Sequence, residues 1–319
     1  MPDSRRLAAA AAVVALALPA TAAAGGRQAG PATPPTAAAI ERSTESFLQR
    51  FGDRVAPSPR PGPAPAAAPL LPANRVVSLY GAPQMGQTIL GMRSPPAAAR
   101  KLGKQSLAYA GMDRRPVVGA FDLVAAFATA GGGPDNLYRT RQDDRVIQIY
   151  LDHARAVGAR LILDIQPGRA SIIGELEKLG EWVAQPDVDV AIDPEWNVGR
   201  RGIPGQTAGM VSAREVNAVA RSMAATVEQL GLPPKLLIVH QFRKGSVRGR
   251  GRIVELPGVQ PVLNFDGIGS PAAKVAGYGP LATPSLFSGF SVFYRLDDPL
   301  MRPPTILGLE PQPDFLLYQ

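Results

Sequence analysis

The chain has no cysteine. That excludes disulfides, a Cys-based zinc site and a lipidated N-terminal cysteine. Lysine is scarce, at six residues, so arginine carries most of the positive charge. This arginine and alanine bias matches the coding of a GC-rich bacterial genome and carries no function. Histidine occurs twice and tryptophan twice, which leaves few positions for imidazole chemistry or indole stacking. No GxGxxG follows a strand, and there is no P-loop, GxSxG elbow or HExxH. Long apolar runs are also missing. Leu7–Leu18 is too short to span a bilayer, and nothing later reaches spanning length.

What is present at the N-terminus reads as an export signal. Arg5 and Arg6 precede the apolar run, and small residues follow in Pro19–Gly25, where Ala20-Thr21-Ala22 or Ala22-Ala23-Ala24 fits a cleavage rule. A signal peptide over residues 1–24 places the protein outside the cytoplasmic membrane, secreted or associated with a bacterial cell envelope. Residues 25–73 are rich in alanine and proline and read as a disordered linker with a short helix near 40–54. The folded domain is expected over 74–319, and a hydrophobic fraction of 45% with 19% charge suits it. The net charge of +8 favours anionic envelope polymers or plain solubility. Arg243, Lys244, Arg248, Arg250 and Arg252 lie in a Gly-rich loop without interleaved aromatics, so no nucleic acid partner is expected. A monomer is expected.

From Asn74 onward, strands and helices alternate. Strands are predicted at Arg75–Tyr80, Pro116–Val124, Arg160–Ile165, Val188–Asp193, Lys235–His240, Val259–Phe265, Phe290–Tyr294 and Phe315–Tyr318. Helices are predicted at Pro95–Ala110, Asp143–Val157, Ser171–Ala184 and Ser212–Leu230. The last opens on Ser212-x-x-Glu215, a capping box, and stops at Gly231. This pattern predicts an α/β fold, a (β/α)8 TIM barrel, slightly degenerate. The helix after the fifth strand is short or missing, and none follows the eighth.

Several strands finish in ionisable groups. RLILD ends at Asp164, and DVAIDPE carries Asp193 and Glu195. KLLIVHQ ends in His240 and Gln241, PVLNFD in Asn264 and Asp266, and FSVFY in Tyr294. A barrel collects such endings in one basin at its carboxyl edge. Asp193 and Glu195 are two apart, as are Asn264 and Asp266, so each pair can share a face. Close carboxylates in a dry basin raise one another's pKa, which is what a general acid needs. Glu195, Asp193, Asp164 and Asp266 are therefore the catalytic candidates. Tyr80, Asp122, Gln166, Trp196, His240, Gln241, Asn264 and Tyr294 are the candidates for binding substrate. Trp196 could stack on a sugar ring or desolvate Glu195. Asp193 and Glu195 could instead cap loop N–H groups and pair with Arg200 or Arg201. No cofactor is expected. An oxygen-ligand site for Mg²⁺ or Ca²⁺ from Asp164, Asp193, Glu195 and Asp266 is the alternative.

The pieces LILDIQPG, VDVAIDPEW, HQF and NFDGIG, with the closing PDFLLYQ, resemble a group of exported bacterial TIM-barrel proteins of unassigned activity. That resemblance implies the barrel and no particular reaction. Lipid anchoring, common in that group, does not carry over without a cysteine. Asp187–Glu195 is also similar to the chitinase-type strand-four pattern of glycoside hydrolase barrels. It departs at Ala191, where an Asp belongs, so the likeness implies only a proton-donor role for Glu195. The expected function is a glycan-active hydrolase acting on a polysaccharide or cell-envelope glycan. The alternatives are a metal-dependent phosphodiesterase and a non-catalytic envelope protein that binds a glycan or anionic polymer.

Overall fold

A computed structural model describes residues 33–52 and 68–319. The candidate signal peptide, residues 1–24, and most of the Pro-rich spacer lie outside the described residues.

Eight parallel strands close into a barrel: β1 (Arg75–Gly81), β2 (Val117–Ala128), β3 (Arg160–Ile165), β4 (Val188–Ile192), β5 (Lys235–Gln241), β6 (Val259–Phe265), β7 (Phe287–Val292) and β8 (Phe315–Tyr318). Each pairs with its sequence neighbour, and β8 returns to pair with β1. Closure leaves the main sheet no free edge strand in the wall. This is the (β/α)8 TIM barrel expected from the alternating pattern. The strands are nearly continuous apolar runs because both faces are covered.

Helices pack outside the wall: α2 (Ile89–Met92), α3 (Pro95–Ala110), α4 (Asp144–Ala156), α5 (Ile172–Lys178), α6 (Gly180–Val183), α7 (Ala213–Leu230), α8 (Pro271–Tyr278) and α9 (Pro303–Leu307). Local signals start and stop them. Ser212 and Glu215 satisfy each other's backbone N–H groups at the head of α7. Gly231 closes the same helix at φ 61°, a left-handed conformation that favours glycine. Between β5 and β6 no α-helix intervenes among the described residues, as the Arg/Gly-rich loop suggests; the short strand Val247–Arg248, paired with Val211–Ser212, and a 3-10 turn at Arg250–Arg252 stand there instead. The segment expected as one helix over Ser171–Ala184 is broken into α5 and α6 at Leu179. β2 runs four residues beyond the expected Val124, through a register shift between Val124 and Ala126, and its end pairs antiparallel with Arg139–Arg141. β7 starts at Phe287 and stops at Val292, leaving Tyr294 beyond the strand.

The upstream helix is α1 (Ala37–Phe51), capped by Thr36. It packs on the barrel's flank. Ile40 and Phe47 are buried, and the Phe47 ring stacks on Tyr150 of α4 at 6.0 Å between centroids. Gln84, in the loop after β1, donates to Thr44 Oγ1 at 2.7 Å. At the barrel's other end, Gln260 clasps the backbone of Leu71, accepting from its N–H at 3.0 Å and donating to its carbonyl at 2.7 Å. Arg160 and Asp189 pair there as well, at 2.6 Å. The floor is thus sealed by polar groups that satisfy one another, and the open chemistry lies at the carboxyl edge.

Candidate active site

Partners in parallel register share a face of the sheet. Tyr80 sits beside Asp122, Asp164 beside Ala191, Ala191 beside Ile238, and His240 beside Asn264. The Tyr80 and His240 rings meet edge-on at 6.4 Å. That contact between β1 and β5, on opposite sides of the wall, places this face inside the barrel. Asp122, Asp164, His240 and Asn264 are all 0–2% exposed, and Asp193, Glu195 and Asp266 are half-buried at the rim. The expected basin therefore exists, with its contributors drawn from β1 to β7.

At its centre is a bonded cluster. His240 Nδ1 lies 2.6 Å from Asp266 Oδ2. The other Asp266 oxygen accepts from Asn264 Nδ2 at 2.7 Å and from the Ser291 hydroxyl. Asn264 Nδ2 also donates to Ser291 Oγ at 2.8 Å. Three donors thus hold Asp266 in one orientation. Ser291 escaped the sequence analysis. Its signal was the alternation Gly289-Phe290-Ser291 on β7, which sets Ser291 on the inner face with Gly289 beside Asn264.

Beneath Ser291, Lys274 of α8 donates to the Ser291 carbonyl at 2.7 Å and pairs with Asp297, both side chains fully buried. Asp297 in turn accepts from the backbone N–H of Gly269 at 3.1 Å and of Phe293 at 2.8 Å. This buried pair braces the two loops that flank Asp266.

Asp193 caps the 3-10 turn Pro194–Trp196, accepting the Glu195 N–H at 3.0 Å. Pro194 needs no such partner, having no N–H. The turn ends β4 and brings Glu195 within electrostatic reach of Asp266. Neither Asp193 nor Glu195 forms a salt bridge among the described residues, so pairing with Arg200 or Arg201 does not occur there.

Burial and crowding of like charge displace the titrations. Glu195 is raised to about 7, by burial first and then by the facing Asp266 carboxylate. Asp164 is raised to about 6, again chiefly by burial, while His240 and the Tyr80 hydroxyl pull the other way. Asp122 and Asp193 are raised well above the ordinary carboxylate value by burial and by Asp164. Burial alone lowers His240, but Asp266, Asp164 and Asp193 outweigh it and hold the imidazole protonated well above its ordinary value. A cationic imidazole among carboxylates with opposed proton affinities can supply acid and base roles in one cluster.

Other candidates lie differently. Gln166 is committed to the wall, accepting from Ala128 N at 3.2 Å and donating to the Tyr80 hydroxyl at 3.1 Å. It positions Tyr80. Trp196 is buried on the 3-10 turn at 8% exposure, which leaves little of the indole face open for stacking. Gln241 follows His240 and so takes the opposite face, where it donates to the Leu281 carbonyl. Tyr294 turns toward α3, donating to Gln105 at 2.8 Å. Tyr318 also faces outward, 2.6 Å from the Tyr109 hydroxyl. Gln241, Tyr294 and Tyr318 do not join the basin. No three acidic or imidazole groups among the described residues stand where they could share a cation. The groove of about 800 Å³ between α1 and residues 140–145 lies away from this chemistry.

Compared with known proteins, the chain matches no protein-family model and no curated protein.

Proposed function

We propose that the protein is a glycan-active hydrolase in which Glu195 is the general acid and Asp266 the base or nucleophile. The carrying observation is that Glu195, on the turn that ends β4, lies within electrostatic reach of Asp266, which follows β6. Glu195 keeps its proton to about pH 7 because it is buried and faces Asp266. Asp266 is fixed by His240, Asn264 and Ser291 and remains partly open, its side chain 14% exposed. Asp164 is deeper and fully buried, so it suits electrostatic support better than attack. In the reaction, Glu195 passes its proton to the glycosidic oxygen as the bond to the anomeric carbon breaks. Asp266 either bonds to that carbon or takes a proton from the water that does. The water supplies the hydroxyl of the new reducing end. Asp193 acts by orienting the Glu195 turn. The candidate export signal supports a glycan of the cell envelope or the surroundings as substrate.

The test is release of reducing sugar from a panel of cell-wall and environmental polysaccharides. Glu195→Gln should lower turnover by about 10²–10⁴-fold with an unchanged circular dichroism spectrum. Because the acid must carry its proton, wild-type activity should fall as pH rises through about 7. Turnover that survives Glu195→Gln removes Glu195 from the mechanism.

A further inference from the structure

Six buried polar atoms at the inner floor of the mouth are short of hydrogen-bond partners among the described residues: both carboxylate oxygens of Asp122, both of Asp164, which only the Tyr80 hydroxyl and the Ile165 N–H support, His240 Nε2 and Asn264 Oδ1. Buried polar groups left this way destabilise the fold, charged ones most of all. These six belong to one neighbourhood. His240 and Asp164 both act on Asp122, and His240 acts on Asp164. The bonded cluster around Asp266 spends none of them.

Their chemistry is lopsided. An ionised carboxylate accepts only, and the Asn264 oxygen accepts only. With both carboxylates ionised, five acceptors therefore face inward, and because burial disfavours that ionised state a bound cation is what would sustain it. The sixth atom differs. His240 Nδ1 is committed to Asp266, so the protonated ring offers Nε2–H as a donor. A sugar hydroxyl brings one hydrogen and two lone pairs, which leaves acceptors facing acceptors. An ammonium group brings three hydrogens, no lone pair and a positive charge. An ammonium beside an oxygen supplies donors to the carboxylates and an acceptor to His240 Nε2. That arrangement is the vicinal amino alcohol of an amino sugar.

We infer that the inner floor of the mouth is a subsite for the ammonium group of an amino sugar, so that the substrate is a glycan with free amines. The inference rests on the hydrolase proposal and names its substrate class. Acetylation of the amine would remove the charge and two of the three hydrogens, so the floor selects against the acetylated form. The chain's net charge of +8 works against a cationic glycan in bulk. Preference for an amine must therefore come from these local carboxylates.

The experiment is calorimetric titration of the full-length Glu195→Gln protein, at about 150 mM salt to suppress surface steering. The probes are cellotetraose, its glucosamine analogue and its N-acetylglucosamine analogue, which differ only at one ring position. The glucosamine tetramer should bind at least about tenfold more tightly than either of the others, a difference of about 1.4 kcal/mol. Asp122→Asn and Asp164→Asn should each erase most of that preference, read within each variant as the ratio of glucosamine-tetramer affinity to cellotetraose affinity. Imidazole NMR locates the ligand without mutation of the floor: the His240 signal should move on binding and that of His153 should not. Equal or weaker binding of the amine overturns the subsite, as does a preference that survives both Asp variants. Binding that leaves the His240 signal in place overturns it as well.

Incubation of the wild-type protein with the same three tetramers separates the two proposals. Amine preference without cleavage sinks the hydrolase and keeps the subsite. Cleavage without amine preference does the reverse.

Discussion

Asp266→Asn probes the electrostatic centre of the mouth. The substitution keeps the shape of the side chain and removes the charge that sits 2.6 Å from His240 Nδ1. A charge-assisted hydrogen bond of this kind contributes about 1.5–3 kcal/mol. Its loss removes the largest of the influences that raise the imidazole's proton affinity. Asp164 and Asp193 remain to support the cation, so the drop stops short of what burial alone would impose. The chain has two histidines, which makes a long-range proton–nitrogen NMR titration simple to assign. His153 lies on α4 with Nδ1 2.8 Å from the Ile149 carbonyl, away from the site, and serves as the internal reference. His240 should titrate lower in the variant, and His153 should not move. The linkage has a definite sign. A raised imidazole pKa stabilises the fold fully below the unfolded value of 6.5, and that contribution is lost as pH rises through the folded value. The stability gap between wild type and variant should therefore narrow toward alkaline pH. A second readout lies in Glu195, whose pKa should fall once the facing charge is gone. An unchanged His240 titration would refute the ion pair as the cause of the shift.

Asp164 should make the wild-type protein less stable as pH rises from about 4 to about 6, since its folded pKa of about 6 exceeds the unfolded 3.8. The contribution is on the order of 3 kcal/mol, and a melting curve for Asp164→Asn that keeps the same slope over that range would contradict it. Lys274→Met leaves Asp297 buried without its cation and should cost about 3–5 kcal/mol in urea denaturation. Adding Asp297→Asn should recover part of that loss, and no recovery would argue against the pair. Tyr109→Phe and Tyr318→Phe should each cost about 1 kcal/mol, and the double variant less than their sum, because both remove one buried contact. Strict additivity in a denaturation cycle would show that the two hydroxyls do not interact.

The barrel was readable because its strands are unbroken apolar runs that end in charge, and alternation with capped helices permits few other architectures. Asp164, His240, Asn264 and Asp266 were legible for the same reason: each stands at or near a strand's carboxyl end, whereas Asp122 lies mid-strand in β2 and shares their face through its register with Tyr80. What could not be read was the phase of each strand. KLLIVHQ finishes in two polar residues, and period two sends them to opposite faces without saying which faces in. Register with Asn264 on β6 decides for His240 and against Gln241. FSVFY sets Ser291 on one face and Tyr294 on the other, and the terminal Tyr294 looked like the functional ending. The strand stops earlier, and Ser291 reaches the basin instead. Gln166 also looked free, yet it spends both ends of its amide on Ala128 and Tyr80. Such commitments depend on distant backbone and leave no trace in local sequence.

The seating of α1 on α4 bears on where the protein can be cut. A version trimmed to start at Asn74 would lose the aromatic lid that Phe47 lays over Tyr150, along with the clasp that Leu71 makes with Gln260. Its flank would carry a raw greasy scar, and its base an unanswered amide. Such a shortened chain is expected to clump where the longer one stays dispersed.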